Sequence, residues 1–278
     1  MLSFKATLLT AGLAVAASTS AWALPTPSPA PGPIPQPSTG NSGLIVTVYD
    51  TNPARPRSIT QHLGLNFLDV LPASMTDPAG GVLSFGNIDL SVFQGELSTV
   101  RYSIFATDAN GQGGLGLALS GPLGPNSLTF PPANGVAIVQ NIASSANTFF
   151  AQVQNTCAGA SPCSTATGGA YGGSSLWGNT FGQGPGGVIN GSGALGAALG
   201  FYYLTSDDSV DPEFALENTS YRNTFGPSQW LLSATGALTY SVAGGGPIVP
   251  IPAAVWMLLS GLVGMGTIGR RRAATAAA

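Results

Sequence analysis

The chain is poor in the residues that most chemistry needs. Lys5 is its sole lysine, His62 its sole histidine, and Cys157 and Cys163 its two cysteines in 278 residues. Charged residues of both signs make up 7% of the whole. Each scarcity removes a class of function. One histidine and two cysteines leave too few ligands for a zinc site. Between residues 24 and 248 the cations are Arg55, Arg57, Arg101 and Arg222, set against all eleven acidic residues. A lysine-free, net acidic surface has no phosphate-neutralising patch, so nucleic acid is not an expected partner.

Catalytic constellations fail for similar reasons. A Ser-His-Asp triad would have to use His62, with Asp50, Asp69 or Asp77 orienting it. No Gly-x-Ser-x-Gly elbow is present, and His62 reads as a surface or turn residue. The Gly-rich stretch from Gly111 to Gly124 contains no Gly-Lys-Ser/Thr, which rejects a phosphate-cradling loop. A glycosidase pair drawn from Asp89 and Glu96, or from the acidic loop below, needs a set spacing in space that sequence adjacency does not supply. No catalytic residue and no cofactor is assigned, and the chain is expected not to be an enzyme.

What the chain has in quantity is glycine (39 residues), proline (22) and small polar side chains. Low charge with abundant Gly, Ser, Thr and Asn fits an extracellular β-protein with uncharged polar faces, and lacks the high net charge of a disordered chain. Residues 1–23 read as a signal peptide: Lys5, an apolar stretch from Leu8 to Ala17, and Ala21-Trp22-Ala23 as a cleavage site, with Leu24 the first mature residue. In an exported chain the default for Cys157 and Cys163 is a disulfide, here closing a short loop. Residues 24–42 carry proline at every second position from Pro25 to Pro37, which predicts an extended polyproline-like spacer.

The domain is expected over residues 43–243, mainly β, as a β-sandwich or jelly-roll-like pair of sheets with one amphipathic helix. Strands are predicted at Leu44–Tyr49, Leu63–Val70, within Val82–Phe93, at Thr99–Thr107, around Leu115–Leu119 and at Phe201–Leu204. Trp230–Ser233 and Ala237–Val242 flank Thr235-Gly236 and predict a hairpin. From Asn134 to Val153 apolar residues recur at three and four, which predicts a helix. The Gly-rich region 157–200 has few strand signals; its aromatics Tyr171 and Trp177 could stack on sugars but more often such residues pack in a core. Asp207, Asp208, Asp211 and Glu213 crowd oxygen ligands into one loop, a weak calcium candidate against the plainer reading of a solvated acidic loop.

After a Gly/Pro linker at 244–248, residues 249–278 form a tripartite segment. Val249-Pro250-Ile251-Pro252 breaks the chain, residues 253–269 are apolar, and Arg270-Arg271-Arg272 form a cationic stop. Seventeen residues sit at the lower edge of what spans a bilayer core of about 30 Å, with Trp256 at the interface and the arginines held on the cytoplasmic side. A transmembrane helix is therefore predicted over 253–269.

This segment resembles the PEP-CTERM sorting signals of Gram-negative bacteria, in the Val-Pro-x-Pro-Ala-Ala variant. The matching positions are Val249, Pro250, Pro252, Ala253, Ala254 and Arg270, Arg271 and Arg272, roughly a tenth of the chain. Ile251 stands where the more familiar form has Glu, and the tail Ala273–Ala278 is longer than usual. The resemblance implies recognition by an exosortase-type protease, at least transient membrane anchoring, then surface or extracellular-matrix location, with exopolysaccharide as a candidate partner. Phe201-Tyr202-Tyr203, Trp230, Gly236 and Tyr240 also resemble, more loosely, the strands that precede such tags. The expected role is structural or interactive. The alternative is an extracellular carbohydrate-binding module or carbohydrate-active enzyme.

Overall fold

The computed structural model describes residues 24–27, 33–52, 54, 57–77, 79–108, 116–124, 127–129, 146–153, 155–157, 161–165, 191–206 and 216–244. They are mainly β, with every described strand pair antiparallel and little helix. The strands begin with β1 (Gly43–Asp50), β2 (Ser58–Asn66), β3 (Gly81–Asn87), β4 (Val100–Thr107) and β5 (Gly116–Gly121). They continue with β6 (Cys163–Thr165), β7 (Gly193–Ala194), β8 (Gly200–Ser206), β9 (Leu216–Ser220), β10 (Arg222–Asn223), β11 (Gly226–Pro227), β12 (Gln229–Leu232) and β13 (Ala237–Val242).

One eight-stranded sheet runs β6-β2-β1-β4-β5-β8-β9, with β7 added beside β4. A second, three-stranded sheet runs β12-β13-β3. The residue types explain β1. Leu44-Ile45-Val46-Thr47-Val48-Tyr49 is β-branched and aromatic, and such side chains fill both faces of a pleated strand. All eight residues of β1 are buried. Leu44, Val46 and Val48 enter a core shared with the three-stranded sheet, while Ile45 and Tyr49 enter a separate core on the opposite face. The same alternation divides β4 (Val100, Tyr102, Ile104 and Ala106 against Phe105) and β8 (Phe201 against Tyr202 and Leu204).

Strand β4 changes partner along its length. It pairs β5 at Phe105–Thr107 and β7 at Arg101–Tyr102. Ser120 bridges the change: its hydroxyl accepts from the Ile104 amide at 2.9 Å and donates to the Gly191 carbonyl at 2.9 Å. A buried backbone amide that leaves one ladder thus finds a side-chain partner.

Two expectations need correction. The strand predicted at Leu63–Val70 lies earlier, at Ser58–Asn66, and Phe67–Val70 is a 3-10 turn. The Asp69 carboxylate accepts from the Asn66 amide at 2.8 Å, which stops the strand and opens the turn. The strand expected within Val82–Phe93 is there as β3, which ends at Asn87; Leu90–Phe93 is again a 3-10 turn, opened by Asp89 accepting from the Ser91 amide. The proline-rich segment does not stand away from the domain where it is described. Leu24 packs against the core shared by the two sheets, Ile34 is 2% exposed in the opposite core, and the Pro35 carbonyl accepts from the Gly43 amide at 3.0 Å. Leu24, just before the first proline, and Ile34, between Pro33 and Pro35, bind it down. Of the predicted helix 134–153, residues 146–153 are helical and 134–145 lie outside the described residues.

Candidate functional site at the chain exits

The candidates for chemistry do not assemble. His62 hydrogen-bonds through Nε2 to the Leu65 carbonyl at 3.0 Å, and burial of its ring lowers its pKa. Asp50 is buried and accepts from the Thr99 hydroxyl at 2.6 Å and the Asn52 amide at 2.9 Å. Asp69 accepts from Asn66 as above, and Asp77 accepts from the Ala79 amide at 2.7 Å. Each of these three carboxylates serves a local backbone turn, and none is hydrogen-bonded to His62. Asp89 is held below its usual carboxylate range by the Ser91 amide, as expected of a capping residue. Among the described residues no three His, Cys, Asp or Glu side chains are grouped so as to hold a metal ion. The acidic residues Asp207, Asp208, Asp211 and Glu213, and the aromatics Tyr171 and Trp177, lie outside the described residues.

Cys157 and Cys163 form a disulfide with Cα atoms 5.7 Å apart. It joins the end of the helical segment to edge strand β6, and Cys163 is fully buried beside Phe149, Phe150 and Val153. Its place is structural: it ties the helix that covers one face of the large sheet to that sheet.

The site that the structure does assemble is the corner where both ends of the described domain come together. Strand β13 ends at Val242, opposite Gly81 at the start of β3. Gly80 adopts φ +76°, and a Cβ there would fall 2.3 Å from the Cα of Gly244, so backbone meets backbone without room for a side chain. Leu24 lies on the other side of the same strand start, and a Cβ on Gly81 would sit 3.0 Å from its Cδ1. Asn223 completes the corner. Its amide nitrogen donates to the carbonyls of Asp77, at 3.1 Å, and of Ala243. Its side-chain oxygen accepts from the amides of Phe225 and Gly226 at 2.9 and 3.2 Å. One side chain therefore shapes the β10–β11 hairpin and ties it to the last residues before Gly244.

Nothing in the composition marked this corner. Asn223 and Gly226 flank a turn signal, but the contact of Gly80 with Gly244 joins residues far apart in sequence, which no local pattern records.

No family model, curated protein or solved structure matches this chain. The sorting positions Val249, Pro250, Pro252, Ala253, Ala254 and Arg270–Arg272 lie outside the described residues, as does the apolar run 253–269. Among the described residues no helix is long and apolar enough to cross a membrane.

Proposed function

We propose that this chain is an exported protein of the cell surface or exopolysaccharide matrix, with a structural or interactive role. Its sorting runs through the C-terminal segment. Export removes residues 1–23, the apolar run 253–269 holds the chain in the membrane, and an exosortase-type protease acts near residues 250–254. The domain itself is read as a β-sandwich whose two sheets enclose the shared core.

The observation that carries this reading is the order breaker, apolar run, arginine stop at 249–272. The chain exits agree with it. The residue after the signal, Leu24, and the first residue of the linker to the tag, Gly244, flank the same strand start. A domain with its two ends side by side can hang from a membrane by either end without threading its chain through the fold. Charges are sparse and mostly acidic, and most polar side chains are uncharged, which suits a protein displayed among polysaccharide rather than one that seeks an anionic partner.

The test is fractionation in a Gram-negative host that carries the sorting protease. The full chain should pass through a membrane-bound stage and reach the surface or medium. A chain ending at Pro247 should skip the membrane stage, and Arg270, Arg271 and Arg272 all changed to Ala should lower retention. Equal distribution of all three would overturn the reading.

A further inference from the structure

The corner described above carries more than the two chain ends. The two most exposed large apolar side chains among the described residues are Val82, 67% exposed, and Phe225, 57% exposed. Both belong to this corner. Val82 pairs with Ser241, and its neighbour Gly81 pairs with Val242. Phe225 stands at the tip of the β10–β11 hairpin, which Asn223 fastens to Ala243; a Cβ on Gly226 would sit 3.3 Å from the Ala243 Cβ. Exposed Arg222 adjoins the same hairpin.

A phenylalanine ring held at a loop tip gains by leaving water for the headgroup/acyl boundary of a bilayer, where interface-bound segments bury Phe, Trp and Leu side chains. The chain itself says which surface is near. Only residues 245–252 separate Gly244 from the apolar run, so at full stretch the corner lies within about 30 Å of the segment that enters the membrane. The signal likewise joins the fold at Leu24, in the same corner.

We propose that this corner is a membrane-contacting surface. While the tag holds the chain, Phe225 and Val82 rest in the bilayer interface, and the Ser233–Gly236 turn at the other end of β13 points away from it. The proposal rests on the reading of residues 249–272 as a membrane tag. It gives the domain a fixed orientation before release, with the corner that must be freed lying against the lipid.

The experiment uses the full chain reconstituted in vesicles of phosphatidylethanolamine and phosphatidylglycerol. A nitroxide label is placed on Phe225→Cys, on Val82→Cys or, as the distal control, on Ala234→Cys. One free thiol per chain and an unchanged circular dichroism spectrum establish that each variant is folded. Collision with oxygen, which favours lipid, is compared with collision with a water-soluble nickel chelate. The expected result is an oxygen-to-nickel ratio several-fold higher at 225 and at 82 than at 234. If the chain floats with the vesicles while all three labels are equally open to nickel, the contact surface is overturned and the tag reading stands. If the chain does not float, both fall. Two labelled positions keep the test decisive should one variant not fold.

Discussion

The two faces of the eight-stranded sheet are closed by different means. On one face lie β3, β12 and β13, and the filling is a set of aromatic rings in contact. Phe201 lies tilted against Tyr221 (centroids 4.4 Å apart), Trp230 against Tyr240 (4.8 Å), and Phe85 against Trp230 (5.1 Å). The tyrosine hydroxyls are satisfied inside this core by backbone carbonyls: Tyr221 donates to Val70 at 2.5 Å and Tyr240 to Met75 at 2.8 Å. On the other face the cover is a short helix. Phe149 and Phe150 pack edge-on against Phe105, with centroids 6.1 and 5.8 Å away, beside Ile34 from the proline-rich segment.

The difference teaches where cohesion comes from in a chain with so few charges. The cover of the first face is itself a hydrogen-bonded sheet, β12-β13-β3, bridged to Leu199 beside β8 at Trp230, and its tyrosines act at once as core and as hydrogen-bond donors. The second face has no ladder between cover and sheet. A short isolated helix is unstable by itself, so it depends on packing and on the covalent tie from Cys157 to Cys163.

The largest effect should come from the centre of the first face. Trp230→Ala removes a fully buried ring that touches three other aromatics and should cost about 3–5 kcal/mol, read as a lower denaturation midpoint. An effect below that of Phe149→Ala would contradict the ranking of the two faces.

Next comes the staple. Changing Cys157 and Cys163 together to Ser should cost about 2 kcal/mol. The contrast lies in where the loss appears: amide exchange should accelerate over 146–153 and leave β12 and β13 protected. Equal acceleration on both faces would show that the disulfide is not specific to the helical cover.

Smaller still is Tyr221→Phe, at about 1 kcal/mol, since it leaves the buried Val70 carbonyl without its donor. This variant also has a pH signature. Burial raises the pKa of Tyr102, Tyr221 and Tyr240, so their neutral forms are favoured in the fold. That stabilisation is whole below the unfolded value near 10 and is lost as pH climbs toward the raised values. Wild type should therefore lose stability steeply above pH 10, and Tyr221→Phe less steeply. The smallest effect belongs to His62 at the sheet's rim. Its lowered pKa makes its contribution whole above about 6.5 and lost as pH falls below it, so His62→Gln should flatten a shallow acid limb of the stability curve.

The parts of this fold that could be read from sequence are those where one residue pattern decides the outcome. Strand β1 is a β-branched and aromatic run, β4 and β13 alternate, and Thr235-Gly236 marks the β12–β13 turn: Gly236 has φ +93°, and a Cβ there would meet the Ile88 carbonyl at 2.3 Å. Phe201, Trp230 and Tyr240, spread along the sequence, converge in one cluster. What escaped was set by distant contacts. Ser58-Ile59-Thr60-Gln61 looks too polar for an inner strand, yet Thr60 is buried with its hydroxyl 3.2 Å from that of Thr47. Strands β6, β7, β10 and β11 are two or three residues long and carry no period. The proline-rich segment has a spacer's composition, and its docking turns on Leu24 and Ile34 finding cores built elsewhere in the chain.

The same limit holds for the exit corner, which links Leu24, Gly80, Asn223 and Gly244 across most of the domain. It is also where the account is most exposed to test, because both proposed processing events cut the chain beside it. The direct measurement is the intact mass of the protein from the membrane and the medium of a Gram-negative host with the sorting protease. The account predicts a species in the medium that starts at Leu24 and ends near residue 250. A protein found only in the membrane and still carrying Arg270 to Ala278 would contradict it and leave a simple C-terminal anchor.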